Sequence, residues 1–202
     1  MQEIDFFRTP FFLFKADENF AEKISDEIED IVKGRQKVDY INYFSGDNKN
    51  SVPLPSVDFN INTSVGGFLN NEGNLTSINN IPSKIRNHII ENIQKIPLHL
   101  KFGEIWYNIT SNKDYNRCHN HKEVDLVFVV YLTKGTLWIQ NPNERVKLDR
   151  FFNRVGSSIS IDFNIGDMIV FPSDISHWVE PHEEKYDRVT IAGNLDLNVV
   201  YT

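Results

Sequence analysis

Apolar residues recur at helical spacing in two segments of the first hundred positions and at strand spacing through most of the second hundred. Phe20, Ile24, Ile28, Ile31 and Val32 fall on one face of a helix that begins near Asp17 and has Gly34 as its natural stop. A second stripe, Ile85, Ile89, Ile93 and Ile96, runs from about Pro82 to Pro97, whose missing N–H ends it. Between them, residues 45 to 80 are rich in Asn, Ser, Gly and Pro without a period, which predicts loops and short extended pieces. From residue 101 onward the runs 102–110, 125–133, 136–141, 157–163, 167–171 and 188–196 are short and β-rich, with Gly, Pro, Asn or Asp in most of the gaps. Strands in such number after two helices predict an α+β chain, mainly β, whose body is a two-sheet sandwich or jelly roll with the N-terminal helices covering one sheet. Residues 1–202 are expected to form a single domain, 1–100 as a helical and loop support region and 101–202 as the jelly-roll core.

Composition narrows the function classes. The 40% apolar content, with fifteen Phe, is ample for a packed interior and argues against disorder. Lys and Arg number 21 against 28 Asp and Glu, a formal charge of −7, and nowhere do the basic residues form a stripe. Non-specific nucleic-acid binding is therefore disfavoured, whereas a small anionic ligand stays open, because one buried Arg can hold a carboxylate whatever the global charge. Cys118 is the single cysteine, so no intramolecular disulfide exists and a reducing, cytoplasmic setting is expected. The start Met1-Gln2-Glu3-Ile4-Asp5 is acidic where a secretory signal would be basic, and no apolar run approaches the ~20 residues of a membrane span.

Candidate chemistry lies in the histidines. His119 and His121 are two residues apart, so on an extended strand both imidazoles face one way, with Cα atoms roughly 6.6 Å apart. An isolated His-x-His is more often a pair of solvent-facing polar residues. His177 shifts that balance: it closes the run from Gly166-Asp167, a tight turn, through the apolar Met168–Phe171 and the bend at Pro172. If the strand runs on unbroken, His119, His121, Glu123, Asp125, Val127, Val129 and Tyr131 share one face and Leu126, Phe128, Val130 and Leu132 the other. Only neighbours in that row can reach one ion, so the ligands are either His119 with His121 or His121 with Glu123, joined by His177. The second set would be the two-His-one-carboxylate triad of Fe(II) oxygenases; the first is a three-His face.

These residues resemble the 2-oxoglutarate/Fe(II) oxygenases of the prolyl-hydroxylase-like superfamily, in an order that covers most of the chain: Trp106-Tyr107-Asn108, His119-Asn120-His121, Tyr131, Gly166-Asp167, Phe171-Pro172-Ser173 with His177, then Arg188 and Asn194. The opening Phe6-Phe7-Arg8-Thr9-Pro10 also resembles the family's start, and the stretch from Gly166 to Asn194 is the most specific part. The resemblance implies a double-stranded β-helix, cupin-like, holding Fe(II) and the cosubstrate 2-oxoglutarate, and a dioxygenase that couples decarboxylation of the oxo acid to hydroxylation of a further, unnamed substrate. Because that family runs His-x-His without a carboxylate at the place of Glu123, it favours His119, His121 and His177 as the metal ligands. Lys122, Val127 and Phe128 depart from it, standing where the family tends to have Pro and a Ser-Gly pair.

Arg188 falls eleven residues after His177 on a strand where Thr190, Ala192 and Asn194 share its face. A planar guanidinium opposite a metal can take the far carboxylate of a dicarboxylate bidentately. In the resembling family this Arg, helped by a hydroxyl two positions on, holds 2-oxoglutarate, and Thr190 fits the helper's place. Tyr131 and Asn108 are weaker candidates for the same contacts, since buried Tyr and Asn commonly satisfy core hydrogen bonds. The bland alternative for Arg188 is a surface pair with Glu183, Glu184 or Asp187. Trp106 and Trp138 read as packing residues, His182 as exposed, and His88 and His99 as lacking a partner pattern. Competing functions are a cupin-type metalloenzyme without 2-oxoglutarate and a non-catalytic jelly-roll binding protein.

Overall fold

The computed structural model describes residues 9–45, 61–64, 74–75, 78–110, 115–121, 124–142, 158–181 and 186–198, with backbone alone for 33–45, 61–64, 74–75 and 80. Its strands are β1 (Phe12–Phe14), β2 (Ile61–Ser64), β3 (Asn74–Leu75), β4 (Leu100–Thr110), β5 (Asn116–His119), β6 (Leu126–Tyr131), β7 (Gly135–Gln140), β8 (Ser158–Phe163), β9 (Met168–Pro172), β10 (His177–Val179) and β11 (Arg188–Leu197). Two helices, α1 (Phe20–Ser45) and α2 (Ser83–Ile93), accompany them. The larger sheet has the order β1-β9-β6-β11-β4-β2, with β3 also on β4, and the smaller one the order β5-β10-β7-β8. From β4 on, the chain passes back and forth between the sheets so that strands pair with distant partners, which is the double-stranded β-helix expected from the sequence.

Side-chain alternation assigns the two faces of the larger sheet. Leu126, Phe128, Val130 and Leu132 pack with Ile105, Tyr107, Ile109, Val189 and Ile191 against α1 and α2, where Ile24, Ile85 and Ile89 are fully buried. Val127, Val129 and Tyr131 point the other way, between the sheets, with Ile139, Phe163, Ile169, Phe171 and Ala192. The bulky Phe128 therefore lies on the helix side, edge-on to Phe102, while Val127 faces the interior. The first turn of α2 is capped from α1: the amides of Lys84 and Ile85 donate to the Glu27 carboxylate at 3.0 Å each. A carboxylate there meets both the orphan amides and the positive end of the helix dipole.

Three expectations change. The first helix does not stop at Gly34 but continues to Ser45, since a helical Gly costs only about 1 kcal/mol and no proline follows at once. The run from His119 to Tyr131 is not one strand: β5 ends at His119 in the smaller sheet and β6 begins at Leu126 in the larger. The single-face parity of that run thus holds within β6 only, because the chain crosses between layers there. The short strands β1, β5 and β10 are absent from the strand pattern; each is too short to show a period, and each exists through pairing with a remote strand.

The turn before β9 does behave as its Gly-Asp sequence implies. Gly166 has φ +87°, a left-handed conformation that L side chains resist. Asp167 is buried and its carboxylate accepts from the amides of Ala16 (3.1 Å) and Asn164 (2.9 Å) and from Lys15 Nζ (2.8 Å), which ties β1 to this corner. His88, for which the sequence offers no partner, donates from Nε2 to the Gly166 carbonyl at 2.7 Å and packs on Phe20, locking α2 to the same turn.

Candidate functional site

The two short strands of the smaller sheet bring the histidines together. His177 opens β10 and pairs in register with His119, the last residue of β5. His121, just past the end of β5, is fixed by its amide to the Ser173 carbonyl at 2.8 Å, and Ser173 is held in turn by its amide to the Asp125 carbonyl (3.1 Å) and its hydroxyl to the Val124 carbonyl. The outcome is three imidazoles, one each from His119, His121 and His177, whose ligand nitrogens all lie within 4.8 Å of one another. Glu123, the carboxylate alternative, lies outside the described residues, as do Lys122, His182 and the Phe6-Phe7-Arg8 opening.

The rings are presented with a defined nitrogen. His177 Nδ1 is 2.9 Å from the Ile175 carbonyl and His119 Nδ1 is 2.7 Å from the Arg117 carbonyl, each two residues back along its own chain. A carbonyl only accepts, so both rings donate from Nδ1 and leave the Nε2 lone pair for a ligand. Packing fixes the planes: Phe171 meets the His177 ring edge-on at 4.9 Å, and Trp106 stacks on His121 at 5.4 Å. Burial, with the nearby His119 adding to it, pushes His177 down to about 3 and His121 down to about 4. Both are therefore neutral near pH 7, the state a metal requires of imidazole. The donor set suits a divalent transition ion with nitrogen preference.

Away from the histidines, Arg188, Thr190, Tyr131 and Asn108 lie on neighbouring strands of the larger sheet. Arg188 is 6% exposed, so it is a buried residue and not a surface one, and its guanidinium donates to the Glu180 carbonyl at 3.1 Å. Thr190 sits in register between Tyr131 of β6 and Asn108 of β4, and its hydroxyl accepts from the Asn108 amide at 3.4 Å. The Tyr131 ring lies flat on Phe163 at 4.2 Å; burial raises its phenol well above the usual range, against the opposing pull of Arg188 nearby. Ala192 pairs with Trp106, so the ladder runs from Arg188 through Thr190 to the tryptophan that stacks on His121, a span of about 13 Å from Arg188 to Ala192 along the strand.

Sequence reasoning misses part of this site. The pattern assigns Trp106 to packing, yet it forms a wall of the histidine cluster; its place two residues before Asn108, on the same face of β4, is the available signal. The carbonyls of Arg117 and Ile175 carry no signal at all, since any residue supplies one. Trp138 does pack, against Trp178 at 5.8 Å.

Residues 104–194 match the model of a family described as "Putative 2OG-Fe(II) oxygenase". That match covers the stretch from β4 to β11, and it is what this part of the chain is similar to. Solved structures share the fold. AviO1 from Streptomyces viridochromogenes is 12% identical over 96% of this chain and 93% of that one, with a TM-score of 0.57. HygX from Streptomyces hygroscopicus, solved with nickel and 2-oxoglutarate bound, is 10% identical over 94% of this chain and 83% of that one, with a TM-score of 0.55. The non-heme alpha ketoglutarate dependent carbocyclase SnoK from nogalamycin biosynthesis is 8% identical over 93% and 79%, with a TM-score of 0.57. An oxidoreductase of the 2OG-Fe(II) oxygenase family from Burkholderia pseudomallei aligns over 55% of this chain and only 52% of that one, so the aligned part spans about half its length. No curated protein matches the sequence. Among the described residues, no helix is long and apolar enough to cross a membrane.

Proposed function

We propose that this chain is a non-haem Fe(II)- and 2-oxoglutarate-dependent dioxygenase acting as a hydroxylase, with His119, His121 and His177 as the iron ligands and Arg188, Thr190, Tyr131 and Asn108 lining the cosubstrate end. The observation that carries it is the placement of three imidazole nitrogens within 4.8 Å at the strand ends, with a buried Arg188 on the inward face of the facing sheet. When bound, iron and 2-oxoglutarate supply the oxidising power: the oxo acid loses CO2 and becomes succinate as O2 is consumed and a C–H bond of the second substrate gains a hydroxyl.

The chain's own part is positioning. The Arg117 and Ile175 carbonyls hold two rings with Nε2 outward, and Trp106 and Phe171 keep the rings they touch from turning. Arg188 would take the far carboxylate of the oxo acid, with Thr190 beside it, while the apolar residues Val127, Val129, Ile139 and Ile169 keep water out. Residues 1–202 are read as one domain, in support of which the cluster under the larger sheet is shared by α1, α2 and the strands. HygX, with nickel and 2-oxoglutarate in its structure, lends the reading support by fold.

The test is anaerobic titration of the Fe(II)-loaded protein with 2-oxoglutarate, followed by the visible charge-transfer band, and then succinate formation on admitting O2. The band and slow succinate release are expected even without the second substrate. Metal binding with no band and no succinate would favour a cupin-type metalloenzyme, and loss of both would leave a non-catalytic jelly roll.

A further inference from the structure

The far end of the inter-sheet space is closed by an arrangement that depends on a missing side chain. Gly135 opens β7 and pairs with Phe163 of β8. A Cβ built on Gly135 would lie 3.0 Å from Cε1 of Tyr131, 3.2 Å from its Cδ1 and 3.1 Å from Cδ of Arg188. Both neighbours thus rest directly on the β7 backbone. Its φ lies outside the left-handed region, so what this position demands is space, not an unusual conformation.

Neither neighbour has room to retreat. The Tyr131 ring is backed by Phe163, parallel to within 2° and 4.2 Å away, and both residues are almost fully buried. The Arg188 head is tied to the Glu180 carbonyl. The turn that leads into Gly135 is fastened to the residue after Arg188: the amides of Leu132 and Thr133 donate to the Val189 carbonyl, and the Val189 amide donates to Thr133 Oγ1 at 2.8 Å. In a close-packed wall of this kind a single added methyl must be taken up by its neighbours. The direction left to them is the interior, where the carboxylate held by Arg188 would lie.

We infer that Gly135 is a positioning residue that sets the depth of the oxo-acid pocket, so that its guanidinium end fits 2-oxoglutarate in preference to the 2-oxo dicarboxylates one methylene shorter or longer. This rests on the assignment of Arg188 as the cosubstrate arginine. Gly135 acts through Arg188 and Tyr131 and touches no ligand itself.

The experiment is anaerobic titration of the Fe(II)-loaded full chain with 2-oxoglutarate, oxaloacetate and 2-oxoadipate, reading each affinity from the charge-transfer band and the iron content separately. Gly135→Ala is expected to keep its iron, weaken 2-oxoglutarate about tenfold and weaken the shorter oxaloacetate much less. Adding Phe163→Leu gives the Tyr131 ring space to withdraw and should restore most of the loss. A general folding defect would lower the bound fraction equally for all three acids, so the affinity ratio separates positioning from instability. Should Gly135→Ala fail to fold, Phe163→Leu alone deepens the pocket and should raise 2-oxoadipate several-fold relative to 2-oxoglutarate. Unchanged ratios in the variants that fold overturn the inference while leaving the oxygenase reading intact. A wild-type protein that takes up iron but none of the three acids overturns the cosubstrate reading, and this inference with it.

Discussion

Arg188→Ala is the change that most sharply tests the proposed cosubstrate role of this residue. With 6% of its surface exposed, Arg188 would meet a carboxylate in a desolvated interior, so the value for a surface pair, about 0–1 kcal/mol, does not apply. Deleting one partner of a buried pair costs about 3–5 kcal/mol, because the remaining charge is left without compensation. At about 1.4 kcal/mol per factor of ten, the loss in 2-oxoglutarate affinity is roughly a hundred- to several thousand-fold. Arg188→Lys should recover only part of it, since a point-charge ammonium lacks the two parallel donors of the guanidinium and leaves the Glu180 carbonyl less well met. The assay is the same anaerobic titration of the Fe(II) protein, with iron content measured alongside to show that the histidine cluster is undisturbed. An Arg188→Ala protein that holds iron and titrates like wild type would refute the reasoning, and the cupin-type alternative would then stand.

Further outcomes follow from the same geometry. His121→Ala and His177→Ala should each lose tight Fe(II) or Mn(II) binding by elemental analysis, and His119→Ala should do so while Glu123→Ala does not; the reverse for the last two would make the site His-carboxylate-His. Gly166→Ala combines a left-handed backbone, about 1–2 kcal/mol, with a Cβ only 2.2 Å from Phe20 Cδ1, an overlap worth about 1–3 kcal/mol; calorimetry should find Tm lowered by about 4–20 °C, and a Tm within a degree or two of wild type contradicts the strain argument. His88 titrates below its ordinary value because burial, reinforced by the nearby Lys95 charge, outweighs the bond to the Gly166 carbonyl and the fields of Glu91 and Asp17. A depressed histidine leaves the unfolded chain the better proton acceptor, so its contribution is fully present above about pH 6.5 and is lost as pH falls toward the folded value. Urea midpoints of the metal-free protein should accordingly fall less steeply between pH 7.5 and 5.5 in His88→Gln than in wild type, and equal slopes would exclude this role.

Elements whose period is long enough to read were legible from the order of residues. The Ile85, Ile89, Ile93 stripe became the buried face of α2, and the alternation in Leu126–Tyr131 correctly divided the helix-facing from the inward-facing residues. Gly166-Asp167 specified its turn because a residue without Cβ adopts that φ most freely, and a carboxylate there meets the amides around it. The grouping of His119, His121 and His177 was legible from residue chemistry and family pattern. The strand register that builds it was not. His119 meets His177 through a pairing of β5 with β10, strands of four and three residues with no period of their own, and such a register is set only when remote segments compete for the same backbone hydrogen bonds. Long-range packing likewise split the run after His119 between two sheets, carried α1 beyond Gly34, turned Trp106 into a wall of the site and made Gly135 the floor beneath Arg188. In each case the physical reason is the same: the deciding contact is between residues far apart in the chain, and local propensity is silent about which distant surface will arrive.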